Sequence, residues 1–518
     1  MLLTAMHPGD GQAAGGHDVQ QAEWAGRHAA PDDSSAAAAM LLTAPQSLEL
    51  LQQGRHQLLA GYLEGAESTF RTLMRRPDGL PAALHHLATV SLVRVLLYDR
   101  PEDYEAFFSR SDSLRDGLAD APRGLGRQFL SGESDFQRSM AWAKQGGYVR
   151  AAMAGVSAYR SLSELREDYS GFREADKSLG IVHATLGTLP RRYRRFLAIF
   201  GFETEIEAGL DQLVSAVEES AWGREESLLY MAILDSFELP SRIDGVVALE
   251  QLRAEYEGSP LIALVVIDAL MRSRRVAQAE RVLNEVEQPR PGQIDLDYLE
   301  YFRAEAALRN ERWEEAARRY AAYRARHDGT AFMAVAALRQ GVALEMDGRR
   351  QRAEMAYRQV AATRDFDSDE ASAREARRRL AAPMLETERD LFRARMAHDR
   401  GAYGIADSVL TTLRGRLESD ELQAEWAYRY GRTLDESGQD GPAFDHYAMA
   451  VHRPGDPQAK WAPYGLYYQG RIMEDAGRFA QARELYQQVV DYSGSYDYRG
   501  TNEQRARFAL RRLEGTGS

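Results

Sequence analysis

Arg395, Arg432 and Arg471 stand at one recurring position, each directly after a small residue: Ala394, Gly431 and Gly470. One helical turn earlier come Leu391, Tyr428 and Tyr467. Guanidinium forks spaced in this way could grip carboxylates through paired N–H donors, while the tyrosine rings cover apolar parts of the same ligand. The chemistry is recognition of an acidic or C-terminal peptide. Glu388 and Glu425, seven residues before Arg395 and Arg432, offer the internal alternative of ion pairs closed within the row. Val342 and Glu305 hold the same place upstream, which confines the row to the last third of the chain.

A second basic group, Arg191, Arg192, Arg194 and Arg195, is interleaved with Tyr193, Phe196, Leu197 and Phe200 over 190–202. Such a helix could lie on an anionic membrane surface, or its rings could simply fill a core. Asp365, Asp367 and Asp369 imitate the start of a calcium loop. The sixth place lacks glycine and Ala376 stands where a bidentate glutamate belongs, so Ser368 or Asp369 is expected to cap a helix instead. His85 and His86 are adjacent and point to different sides of a helix. Gly132-Glu133-Ser134-Asp135-Phe136 lacks the closing glycine of a nucleophile elbow. Cysteine is absent, which excludes thiolate metal sites and cysteine nucleophiles, and lysine occurs only at Lys144, Lys177 and Lys460. The residues thus point to a non-enzymatic protein with neither metal nor cofactor.

The elements that must position these residues announce themselves by a repeated phrase. Gly431, Gly438, Ala443 and Tyr447 return as Gly470, Gly477, Ala482 and Tyr486, and near the start as Gly54, Gly61, Ala66 and Phe70, before Pro77. Gly146, Tyr148 and Ala151 restart it once. The central small residue recurs at Gly245, Ala279, Ala316 and Ala353, spaced 34, 37 and 37 residues apart, and again at Ala406, Ala443 and Ala482, spaced 37 and 39. Two antiparallel helices approach closely only where side chains are small, so Gly or Ala falls at the crossing. The aromatic one turn on, Tyr320, Tyr357, Tyr447 or Tyr486, is expected to fill space between successive pairs. Glycine five before the alanine suits a turn with positive φ. The fold class is all-α, an α-solenoid of antiparallel helix pairs in a right-handed superhelix.

Residues 1–45 lack periodicity and are expected to be disordered. A helical repeat region is expected over 46–225, a second array over 226–382 and a third over 383–518. Ala371–Leu380 (ASAREARRRL) resembles Gln504–Leu513 (QRARFALRRL), so each array is expected to end in a solvated arginine-rich helix, 369–380 and 502–514, with a boundary near Pro383. A formal net charge of −13 speaks against nucleic acid as partner. No run of about 18 apolar residues is present, so no segment is expected to span a membrane. Ala36–Ala44 resembles a short export core, but Asp32 and Asp33 precede it where positive charge belongs. The given start implies the cytoplasm, and an upstream start would imply export.

Ala316, Ala353, Ala406, Ala443 and Ala482, with Tyr447 and Tyr486, resemble the tetratricopeptide repeat. Leu179–Leu213 further resembles the signature of the repeat family that holds the fungal inclusion-body clearance protein and the vertebrate tetratricopeptide-repeat-domain-thirty-nine proteins. Leu179, Gly180, Leu189, Pro190, Leu197, Gly201, Phe202, Gly209, Leu210 and Leu213 fit it, while Ala184 and Thr185 stand where the eukaryotic members carry an aromatic and asparagine. The resemblance implies a helical scaffold of bacterial type that holds a protein or peptide in a concave groove. A membrane-surface adaptor working through 190–202 is the alternative.

Overall fold

The computed structural model describes residues 40–41, 43–187, 206–235, 245–360, 367–453 and 459–515. The tail 1–39, the helix expected over 190–202 and Asp365 lie outside them. The contacts divide the chain into two compact units, one comprising Gly16–Ala269 and Val282–Leu296, the other Leu270–Arg281 and Asp297–Ser518.

The first unit opens with three helix pairs: α1 (Leu48–Leu59) with α2 (Leu63–Met74), α3 (Leu80–Tyr98) with α4 (Pro101–Ala119), and α5 (Leu125–Lys144) with α6 (Tyr148–Asp168). Then come α7 (Asp176–Gly187), α8 (Ile206–Glu219), α9 (Arg224–Asp235) and α10 (Gly245–Glu255). The division falls inside α11 (Pro260–Arg272) and inside α12 (Val276–Glu285). The second unit continues with α13 (Asp297–Arg309), α14 (Trp313–Arg326), α15 (Met333–Met346), α16 (Arg350–Arg358) and α17 (Asp367–Ala381). Three further pairs follow: α18 (Glu386–Asp399) with α19 (Tyr403–Leu413), α20 (Asp420–Asp435) with α21 (Asp440–Val451), and α22 (Trp461–Asp475) with α23 (Phe479–Val490), closed by α24 (Arg499–Gly515). Among the described residues there is no strand, and the fold is an all-α stack of antiparallel helix pairs.

Local chemistry places the breaks. Proline occupies the first turn of α3 and α4, where its missing N–H removes no helix bond. Eight turns share a residue with positive φ five places before the small residue: Gly61, Gly146, Arg274, Glu311, Gly348, Gly401, Gly438 and Gly477. At Gly438 the geometry is a paired helix stop, with Gly438 N bonded to Asp435 O (2.9 Å) and Gln439 N to Leu434 O (2.9 Å).

In four of the repeats the ring lies on a glycine sixteen residues earlier. A Cβ added at Gly54, Gly341, Gly431 or Gly470 would sit 2.3, 2.3, 2.7 or 2.6 Å from Phe70, Tyr357, Tyr447 or Tyr486 respectively. The aromatic therefore packs first within its own pair, not only between pairs as expected; Tyr447 then stacks on Tyr468 of the next pair at 5.4 Å. Gly180 of α7 and Gly209 of α8 meet backbone to backbone, since a Cβ on Gly180 would lie 2.6 Å from Gly209 O. Two of the signature residues thus mark a helix crossing.

One expectation is corrected. Leu80–Tyr98 has a mean hydropathy of 1.5 and is long and apolar enough, by length and composition, to cross a membrane. His85, His86, Thr89 and Ser91 break the apolar run within it, and 61% of the window is buried inside the first unit. There Ala83, Leu87 and Val90 share a core with Phe70, Leu114 and Leu130.

Pro383 lies inside the second unit. Glu345 of α15 accepts the Met384 amide at 2.8 Å, and Arg389 of α18 donates to the Glu345 carbonyl at 2.7 Å. Arg400 reaches back to Arg309 O (2.8 Å) and Glu311 (2.9 Å), so the chain on both sides of that proline is tied together.

Candidate binding site on the C-terminal helix pairs

The first helices of the last three pairs, α18, α20 and α22, carry Arg395, Arg432 and Arg471 in corresponding places. Ser419 starts α20 by accepting the Leu422 amide at 3.3 Å. The three arginines then diverge. The Arg395 side chain is 25% exposed and its Nε lies 3.4 Å from Asp399. Arg471 is half-buried, with Cζ 5.7 Å from the centre of the Tyr468 ring. Arg432 is only 4% exposed. Its Nη1 donates to Tyr468 Oη (3.0 Å) and Tyr428 Oη (3.3 Å), and its Cζ sits 4.4 Å over the Tyr468 ring. A guanidinium enclosed this way is a core cation held by rings and hydroxyls.

The tyrosines of the row are corrected more strongly. Tyr428 and Tyr467 are 1% and 5% exposed, so neither ring offers a surface to a ligand. Tyr428 is enclosed by Trp461 (5.4 Å between centroids), Tyr468 (6.1 Å) and Tyr447 (6.2 Å), and Tyr467 by Tyr468 and Tyr486. For Tyr428 the following pair covers a position that faces outward on an isolated helix, and for Tyr467 the second helix of its own pair does so. The internal ion pairs also take another form. Glu388 is held by Arg378 (2.6 Å) and Arg379 (3.1 Å), and Glu425 by Arg429 (2.7 Å), while Arg432 lies 3.9 Å from Glu436 one turn on.

The small and aromatic repeat positions are interior. Ala316, Ala353, Ala406, Ala443, Ala482, Tyr447 and Tyr486 are fully buried or nearly so. Their tyrosines anchor a network that the sequence reading missed. The Tyr447 hydroxyl donates to Asp435 (2.9 Å), Tyr486 to Glu474 (2.7 Å) and Tyr357 to Glu345 (2.7 Å). Each acid stands four residues after the glycine under the ring, a spacing that could have revealed it. Arginine completes the triad: Arg350 on Glu345 (2.9 Å) and Arg512 on Glu474, with both oxygens at 2.7 Å. In the α13–α14 pair Glu305 binds Tyr320 and Arg339; burial opposes its charge, but Arg339 and Arg309 outweigh that and hold its pKa below the usual range.

The first unit has a polar interior of a different kind, also missed. Lys177 Nζ contacts Glu133 (2.7 Å) and Glu226 (2.9 Å), and Ser178 donates to Glu133. Against burial, Lys177 and Arg55 hold Glu226 down to about 2. Burial, aided by Lys177, pulls His85 down to about 3, and burial next to His85 pulls His86 well below its ordinary value. Among the described residues no three His, Asp or Glu side chains converge as metal ligands would.

Compared with known proteins, neither a family model nor a curated protein matches the sequence. Several solved structures are similar at low identity. Human IFIT1, as a dimer with PPP-AAAA, is 12% identical, with 89% of this chain and 95% of that one covered and a TM-score of 0.30. Yeast Tom70 is 11% identical, with 91% and 96% covered and a TM-score of 0.25. The P58(IPK) TPR domain is 13% identical, with 91% and 98% covered and a TM-score of 0.21. Scores this low place no weight on a shared function; the repeat architecture rests on the chain's own helix pairs.

Proposed function

We propose that this chain is a non-enzymatic scaffold whose last three helix pairs hold an acidic or C-terminal peptide of a partner protein. The observation that supports the reading is the unequal burial of the arginine row: Arg395 and Arg471 keep access to solvent on either side of an enclosed Arg432. In this reading the outer two grip carboxylates, and Arg432 fixes the tyrosines between them. The array over 383–518 would present this surface, and the net charge of −13 favours a protein over a nucleic-acid partner. Kinship with the inclusion-body clearance family is part of the same reading, supported by the Gly180–Gly209 crossing.

The test is affinity capture and peptide binding with the full chain. The Arg395→Ala/Arg471→Ala variant is expected to bind a carboxylate-rich peptide at least tenfold more weakly than wild type and to lose partners that wild type retains. Identical partners and affinities for the two baits would refute the assignment.

A further inference from the structure

α5 and α6 pack against each other, with Gln128 and Ser161 hydrogen-bonded between them (3.2 and 3.3 Å), and an open cleft of about 700 Å3 lies along this seam. Arg123 and Arg127 line it at the entry to α5, and Arg160 lines it from α6. Glu164 is the single carboxylate among its lining residues, and Ala152, Met153 and Val156 supply its apolar surface, Met153 being the exposed one. The sign of charge is therefore locally opposite to that of the whole molecule, whose formal charge is −13.

The cleft continues into an exposed apolar stripe. Val149, Met153, Val156, Arg160 and Glu164 follow at helical spacing along one face of α6. Val149 and Met153 are 58% and 63% exposed, and Tyr148 beside them is 52% exposed. Contiguous large apolar side chains left in water beside a basic recess mark an interaction surface. The volume is in the range of ligand pockets, roughly 300–1,000 Å3.

We infer that the α5–α6 cleft is a second binding site, for a short acidic segment of another protein. Carboxylates of that segment contact Arg123, Arg127 and Arg160, and the apolar side chains that follow lie over Met153 and Val149. A nucleic-acid strand is a poorer fit. It needs a basic track that continues along the phosphates and rings to stack the bases, whereas this track passes into aliphatic side chains. The site shares neither residues nor helices with the arginine row.

The experiment uses the full chain carrying Arg395→Ala/Arg471→Ala, so that only the cleft is read. The probe is a fluorescein-labelled peptide of four glutamates followed by leucine and phenylalanine, titrated by anisotropy. Saturable binding is expected. Adding Arg123→Glu and Arg160→Glu should weaken it at least tenfold, Met153→Asp at least threefold, and glutamine in place of the glutamates should abolish it. Arg123, Met153 and Arg160 are exposed, and an unchanged circular-dichroism melt would separate lost binding from lost folding. No saturable binding to the chain with an intact cleft would overturn the proposal, as would undiminished binding after Arg123→Glu/Arg160→Glu. So would a single-stranded oligonucleotide that binds more tightly than the peptide and is lost in the same variant.

Discussion

Gly431 and Gly470 are where residue type matters most. A methyl on either would stand 2.7 or 2.6 Å from the ring of Tyr447 or Tyr486, inside van der Waals contact. Gly431→Ala should therefore destabilise the second unit by about 1–3 kcal/mol through overpacking, read as a lowered midpoint in urea with an unchanged m-value. Tyr447→Phe keeps the ring and removes the donor that Asp435 accepts at 2.9 Å. Burial already lifts the Asp435 carboxyl above its ordinary pKa, against Arg471 and Arg432, so its loss of a partner should remove a further ~1–3 kcal/mol. A full-stability Tyr447→Phe would show that the hydroxyl is ornamental. The arginine row shows what residue-level reading omits. Phase along the helix told which face Tyr428 and Tyr467 occupy, whereas depth depends on neighbours that only the packed structure brings over them: Trp461, Tyr464 and Tyr468 of the next pair over Tyr428, and Tyr486 of its own pair over Tyr467.

At the scale of the element, helix stops were the most legible feature, because a turn is decided by a handful of neighbouring residues. All eight turns place a positive φ five residues before the small residue, including Arg274 and Glu311, where no glycine advertises it. Gly438 isolates the conformational contribution: its φ is +72° and a Cβ there would meet nothing within 4 Å. Gly438→Ala should cost about 1–2 kcal/mol, purely from backbone strain, and thermal unfolding of the pair of variants should separate it from the collision at Gly431. A Gly438→Ala variant as stable as wild type would mean the turn relaxes. The arginine-rich helices were harder to read. α17 and α24 look solvated in composition, yet Arg379 and Arg505 are buried and Arg512 closes on Glu474 under Tyr486. Composition counts charges; it does not say which acid across the stack will receive them.

For the whole molecule the helix-pair architecture followed from local spacing, while the character of each interior depended on partners far apart in sequence. In the first unit His85 and His86 from α3 lie within electrostatic reach of Glu226 from α9, and His85 also of Lys177 from α7, which itself binds Glu226 and Glu133 from α5. That arrangement fixes a direction for acid sensitivity. His85 has a folded pKa of about 3 and His86 one well below 6.5, both below the unfolded value near 6.5. Between those limits the unfolded chain takes up protons that the folded chain refuses, so stability is complete above about pH 6.5 and falls as pH is lowered. Each histidine contributes a slope of up to about 1.4 kcal/mol per pH unit. Glu226, held down to about 2, adds a later loss below about pH 4.3, where the unfolded carboxyl protonates first. The second unit has His446 shifted by burial in the same direction with Asp445 opposing the shift, and its Asp435, shifted upward, acts with the opposite sign. Hydrogen exchange followed from pH 7 to 5, corrected for intrinsic rates, should therefore lose more protection in α3 than in α21. His85→Gln with His86→Gln should flatten the α3 response while leaving that of α21 unchanged. Equal losses in both helices, or an undiminished α3 response in the double variant, would mean that the histidine pair does not control the first unit's stability in acid.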